Sequence, residues 1–135
     1  MPNRSFYGTY SLILHYKNSF METKRKFKVI MSSEADSFLC SLHSDVKAKI
    51  IYNVDKVANG HIDKDLFKKL DDSEGIWEFR TLYRGIHYRL FAFWDTDEDT
   101  LVIATHGIIK KTQKTPQKEI AKAERIREIY FNKKK

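Results

Sequence analysis

The sequence predicts an α+β protein of order β-α-α-β-β-β-α, with a mainly antiparallel sheet and its helices packed on one face. Three observations carry that prediction. Side chains alternate at strand period from Phe27 to Met31 and over three runs between Ile76 and Ile109. Apolar residues recur at helical spacing between Ala35 and Val57, and a further helical run comes after Thr115-Pro116. An antiparallel sheet with helices gathered on one side is a two-layer arrangement that leaves the other face open.

In Phe27-Lys28-Val29-Ile30-Met31 the first, third and fifth side chains share a face, which defines the opening strand. Ser33-Glu34-Ala35-Asp36 places a serine at a helix N-cap with an acid three residues later, so each side chain can satisfy an orphan amide. The short helix after it buries Ala35, Phe38, Leu39 and Leu42, and Cys40 in the same stripe reads as core. A second helix starts near Ser44 and Asp45, carries Val46, Ile50, Val54 and Val57 on one stripe, and stops at Asn59-Gly60. A polar link with Asp71-Asp72-Ser73-Glu74-Gly75 leads to strands at Ile76 to Tyr83, Ile86 to Trp94 and Leu101 to Ile109. Their connections, Arg84-Gly85 and Asp95 to Thr100, are short enough to force antiparallel neighbours. Thr115 is placed to cap a last helix with Pro116 at its first position, and Gln117 to Phe131 then brings Ile120, Ala123, Ile126, Ile129 and Tyr130 to one side.

The chain of 135 residues, 41% hydrophobic and with two prolines, is about the size of one domain and can bury one ordinary core. Residues 1–24 stand outside the element plan as an N-terminal extension, either flexible or an extra edge strand through the weak alternation of Tyr7, Tyr10, Leu12, Leu14 and Tyr16; the domain proper is 25–135. Met21-Glu22-Thr23-Lys24 also reads as a translation start. A single cysteine excludes an internal disulfide, and the run from Ser11 to Tyr16 is too short to span a bilayer, so a cytoplasmic protein without membrane attachment is expected. There is no zinc-type cysteine spacing, Walker loop, dinucleotide fingerprint or HExxH, so neither a metal nor another cofactor is expected.

Charge is segregated. Residues 1–26 hold five Lys/Arg against Glu22, residues 110–135 hold ten against three Glu, and the stretch between is net acidic, within a total of +7. A basic end on a mildly acidic body suits a polyanion, nucleic acid first, although Lys133, Lys134 and Lys135 alone read as a solvated tail. Alternation puts Glu78 and Arg80 on the side away from Trp77 and Phe79. Should Arg89 share that face, two guanidiniums lie across adjacent strands, either balanced by Glu78 in an ion network or presented to an anionic ligand. His106 has the parity of Val102 and Ala104 and projects from one face or the other according to how Gly107 bends the strand. Lys110, Lys111 and Lys114 come next at the sheet end, just before a helix N-terminus that favours anions.

In order and spacing, Ile76-Trp77-Glu78-Phe79-Arg80, Gly85-Ile86-His87-Tyr88-Arg89-Leu90, the segment His106 to Pro116 with its Lys-Lys-Thr-Gln-Lys-Thr-Pro run, and then Glu119-Ile120 and Ala123 resemble the HigB branch of the RelE/ParE toxin superfamily. The resemblance covers roughly Lys26 to Phe131. It implies a RelE-like fold and a toxin of a type II toxin-antitoxin system: a basic endoribonuclease that enters the ribosomal A site and cuts translated mRNA. It also implies a cognate antitoxin, usually a helix-turn-helix DNA-binding protein. The positions matching the family's cationic residues are Arg80, Arg89 and Lys110 or Lys111, with Glu78 and His106 as the further catalytic candidates. Lys114, Lys118, Lys122 and Arg84 are expected to contact RNA. Where family members often carry an aromatic, this chain has Ile108 or Ile109.

The chemistry implied is metal-independent attack of a 2′-hydroxyl on its own 3′-phosphate. It requires a base, charge stabilisation on the phosphoryl oxygens and an acid for the departing 5′-oxygen. The arginines suit the second task, Lys110 or Lys111 the flanking phosphates or the acid, and Glu78 or His106 the base. Two other readings remain open: a ParE-like DNA gyrase inhibitor, and a non-catalytic nucleic-acid-binding module.

Overall fold

The computed structural model describes residues 27–97, 100–110 and 114–134. The N-terminal extension, with its alternative edge strand, and Lys111 lie outside the described residues. The elements are β1 (Lys28–Met31), α1 (Ser33–Cys40), α2 (Ser44–Ala58), β2 (Phe67–Lys69), β3 (Trp77–Tyr83), β4 (Ile86–Trp94), β5 (Leu101–Lys110) and α3 (Gln117–Lys134). They form one five-stranded sheet in the order β1-β5-β4-β3-β2. All neighbours are antiparallel except β1, which runs parallel to β5. This is the predicted α+β, RelE-like architecture.

The strand β2 is absent from the predicted order. It has three residues, and two of them are lysines, so no alternation marks it. Phe67 explains why it forms: the ring is buried and stacks on Phe79 at 4.4 Å and on Trp77 at 4.7 Å. The turn between β3 and β4 is the tight hairpin its sequence implies, with positive φ at both Arg84 (51°) and Gly85 (79°) as the primed turns require.

The helices occupy both faces of the sheet, not one. Val29, Met31, Leu90, Ala92, Val102 and Ala104 pack with Ala35, Leu39, Ile50, Val54 and Val57, so α1 and α2 cover the first face. Ile30, Phe91, Phe93 and Ile103, of opposite parity, pack with Ala123, Tyr130 and Phe131 of α3. Each strand that crosses this region is apolar at successive positions, the pattern of burial on both sides. Asp95, buried just after β4, ties down the far end of α3 by accepting from Tyr130 Oη and Lys134 Nζ, each at 2.6 Å.

Details of the first helix differ from expectation. Its N-cap is Ser32, one residue earlier than the sequence implies, and the Ser32 Oγ accepts from the Ala35 amide at 3.1 Å. Cys40 is exposed at the helix end and is not core. In α2 the expected stripe holds, with Ile50, Val54 and Val57 buried, and Gly60 (φ 106°) supplies the left-handed stop.

A β-bulge in β5 decides which way the second half of that strand faces. Phe91 pairs with His106 but Ala92 pairs with Ala104, leaving Thr105 as an extra residue. Side-chain parity reverses across it, so Val102 and Ala104 face α1 and α2 while His106, Ile108 and Lys110 face the α3 side. Gly107 does not bend the strand. It admits Phe38, whose ring would lie 2.2 Å from a Cβ at that position. The bulge is pinned by Ser32, whose Oγ donates to the Thr105 carbonyl at 2.7 Å and whose amide donates to the Ala104 carbonyl.

Because one hydroxyl both caps α1 and holds the bulge, Ser32→Ala should lower unfolding free energy by about 1–2 kcal/mol. Urea denaturation should show a lower midpoint at unchanged slope.

Candidate phosphate site on the sheet

Directly opposed residues of an antiparallel pair share a face, and Arg80 is opposite Arg89. The two guanidiniums therefore do lie side by side. Between them sits Glu78, whose Oε2 is 3.5 Å from Nε of Arg80 and 3.5 Å from Nε of Arg89. Its other oxygen, Oε1, accepts from Thr115 Oγ1 at 3.0 Å, and Thr115 in turn accepts from Lys110 Nζ at 3.1 Å. The structure thus brings together four of the residues expected at the site, Glu78, Arg80, Arg89 and Lys110.

Burial divides them. The side chain of Arg80 is 22% exposed, those of Arg89 and Glu78 are 2% and 4%, and Lys110 is also buried. Arg80 forms the mouth, fixed from the side by donating to the Lys64 carbonyl at 3.2 Å. Arg89 lies beneath, where one guanidinium nitrogen donates to the Tyr88 carbonyl and the buried Nε forms no hydrogen bond. Two guanidiniums share one carboxylate, so the cluster carries excess positive charge. Burial pushes the Arg89 pKa down; Glu78 opposes this and Arg80 adds to it. Burial also pushes Lys110 below the ordinary lysine range, and Arg89, Arg80 and Lys68 press it the same way against Glu78.

His106 belongs to a different network. Phe91 lies between Glu78 and His106 in register, one strand from each. The imidazole is buried, with Nε2 3.1 Å from Glu119 Oε1 on α3, Nδ1 3.0 Å from Thr105 Oγ1, and the ring against Phe91. A neutral ring with its hydrogen on Nε2 satisfies both contacts. Burial is the largest influence and pushes the His106 pKa down, against the hydrogen bond to Glu119.

The expected RNA contacts are scattered. Lys118 and Lys114 are exposed near the α3 N-terminus. Lys122 is ion-paired with Glu34 of α1. Arg84 is at the hairpin tip with its guanidinium over Tyr83, beside a cleft lined by His43, Val46, Ile86 and Tyr88 on the α2 side. Two residues on the cationic face escape sequence reasoning. Lys68, directly opposite Glu78, requires knowledge of β2. Thr115 reads as a helix cap, but its hydroxyl is engaged by Lys110 and Glu78.

Among the described residues no group of His, Cys, Asp or Glu is placed to hold a metal ion, and no helix is long and apolar enough to cross a membrane. In class this is a RelE-like α+β protein with a cation-carboxylate cluster on one face of its sheet. Residues 37–128 match the family model described as Phage derived protein Gp49-like (DUF891), and the chain belongs to that family. Its place is within the RelE/HigB-type toxins, which makes a toxin with an antitoxin partner the coarse functional class. No curated protein matches the chain.

The burial pattern sets two expected outcomes. Arg89→Ala removes a buried guanidinium from beside Glu78, which keeps Arg80 and Thr115, and should cost more stability than Arg80→Ala, for which about 1 kcal/mol or less is expected. Chemical denaturation of the two variants checks this. For His106 the folded pKa lies below the unfolded value of about 6.5, so the unfolded chain binds the extra proton. That penalty is absent above the unfolded value and grows as pH falls from it toward the folded value. Stability should fall across that window, and His106→Gln should flatten the dependence.

Proposed function

We propose that this chain is the toxin of a type II toxin-antitoxin pair, of the HigB type, and acts as a ribosome-dependent endoribonuclease on translated mRNA in the cytoplasm. The observation that carries the reading is the Glu78-Arg80-Arg89-Lys110 cluster, with more cationic than anionic charge and one guanidinium open to a phosphate. Membership of the Gp49-like family and the basic C-terminal segment support it.

In this reading Arg80 meets the scissile phosphate first, since a guanidinium fork matches phosphate and stays protonated. Arg89 adds positive potential from below as charge builds on the phosphoryl oxygens. Glu78 takes the proton of the 2′-hydroxyl, and Lys110, whose pKa is already pushed down, gives one to the departing 5′-oxygen. The products are a 2′,3′-cyclic phosphate and a free 5′-hydroxyl. His106, set apart from the cluster by Phe91 and held between Thr105 and Glu119, steadies the junction of β5 and α3 and takes no part in proton transfer. The antitoxin, a helix-turn-helix protein in this reading, is the neutralising partner, and Lys114 and Lys118, exposed near the α3 N-terminus, contact the RNA.

The near-complete burial of Glu78 and Arg89 favours one competing view, in which the network is structural and the protein binds nucleic acid or inhibits gyrase without cutting RNA. A translating extract separates them. The proposal expects cleavage of ribosome-bound mRNA without added metal, and a loss on the order of 100- to 1,000-fold in the single-turnover rate for Arg80→Ala with the fold intact. Binding without cleavage, gyrase inhibition, or parental cleavage by Arg80→Ala would contradict it.

A further inference from the structure

Lys110 and Glu78 lie on strands separated by β4 and are four residues out of register, since Lys110 is opposite His87 and His87 is opposite Leu82. The two charged groups are joined by Thr115. A threonine hydroxyl has one hydrogen, an ionised carboxylate only accepts, and an ammonium only donates. The sense of the chain is therefore fixed: Lys110 Nζ donates to Thr115 Oγ1, and Thr115 Oγ1 donates to Glu78 Oε1.

The rest of the cluster depends on that link. With Oε1 held by Thr115, Glu78 turns Oε2 toward both Arg80 and Arg89. Thr115 is itself well anchored. Pro116 restricts its backbone to extended conformations. The Pro116 carbonyl accepts the first amides of α3, whose opening turns are fixed to the sheet by buried Ile120 and by Glu119 against His106.

We propose that Thr115 is a positioning residue that joins Lys110 and Glu78 into one proton-sharing unit, orienting the acid and the base of the reaction at once. This rests on the ribonuclease reading for its purpose, though the coupling itself does not. The charged groups facing Lys110 are Glu78 and Arg80 on β3, Arg89 on β4 and Lys68 on β2; three of the four oppose its ammonium. An acceptor at Thr115 favours the protonated form against them. After one turnover Glu78 holds a proton and Lys110 lacks one. The same hydroxyl restores both by accepting from the Glu78 acid while donating its own hydrogen to the Lys110 amine, with no net gain or loss of protons.

The test uses the full chain with Thr115→Val, which removes the hydroxyl, and Thr115→Ser, which keeps it. Lys110 is titrated through its side-chain carbon resonance, and single-turnover cleavage is followed on mRNA-programmed ribosomes across pH. The valine variant should move the Lys110 midpoint further down and cut the saturated cleavage rate on the order of tenfold, with half-saturation unchanged. The serine variant should restore both. Should the valine variant unfold, Thr115→Ala provides the same comparison. A parental Lys110 titration in the folded hydroxyl-free variant overturns the coupling. A shifted titration with parental cleavage overturns the role in catalysis. A shifted titration in a parental protein that cuts no RNA leaves the coupling standing and removes the ribonuclease reading.

Discussion

The extra residue at Thr105 is the constraint on which the site depends. In a regular strand Lys110 would share a face with Val102 and Ala104 and point toward α2. The bulge reverses parity after Ala104, so Lys110 arrives on the face of Glu78, Arg80 and Arg89, and His106 meets Glu119 of α3. The same reversal aims Gly107 at α1, where its missing side chain makes room for Phe38. Bulges recur where a strand must re-aim a side chain, and this one is held by the cap of α1, whose Ser32 hydroxyl donates to the Thr105 carbonyl. Helix cap, sheet register and site geometry are thus linked through a few hydrogen bonds.

The cluster places unusual demands on the fold. Burying charge is costly unless partners and hydrogen bonds compensate, and here two guanidiniums share one carboxylate. A protein under selection for stability alone would do better with apolar side chains of similar volume. The excess positive charge is consistent with a site completed by an anion, and its position fits a phosphate: where Lys110 ends β5, beside the N-terminus of an 18-residue helix, with one guanidinium partly exposed. The α3 helix serves both halves of this arrangement. Its C-terminal end is moored to buried Asp95 and packs Tyr130 and Phe131 against Phe93, and the residues leading into it supply Thr115.

Much of this is legible in the residues. Alternation locates β1, β3, β4 and β5, helical spacing locates α1, α2 and α3, and parity puts Glu78 and Arg80 on one face of β3 while leaving open whether Arg89 joins them, which the strand register decides. What escapes has identifiable causes. A strand of three residues with two lysines has no period, so β2 and Lys68 are invisible. The successive apolar residues Leu90-Phe91-Ala92-Phe93 do signal burial on both faces, but the expectation of one open face passes over it. A bulge changes parity without changing composition, so the orientation of His106 and Lys110 cannot be read from spacing. Thr115 before Pro116 fits a helix cap as well as it fits the site, and only the approach of Lys110 and Glu78 from other strands distinguishes them.

The central claim is that Arg80, with Arg89 beneath it, receives a nucleic-acid phosphate. The most direct measurement tracks the arginine Nε resonances while a short single-stranded RNA, blocked by a 2′-deoxy substitution at the cut position, is added. If the claim holds, Arg80 and Arg89 shift together, while Arg84 in the hairpin turn stays where it was. Shifts confined to Arg84 and the α2-side cleft, with Arg80 unmoved at saturation, would contradict it.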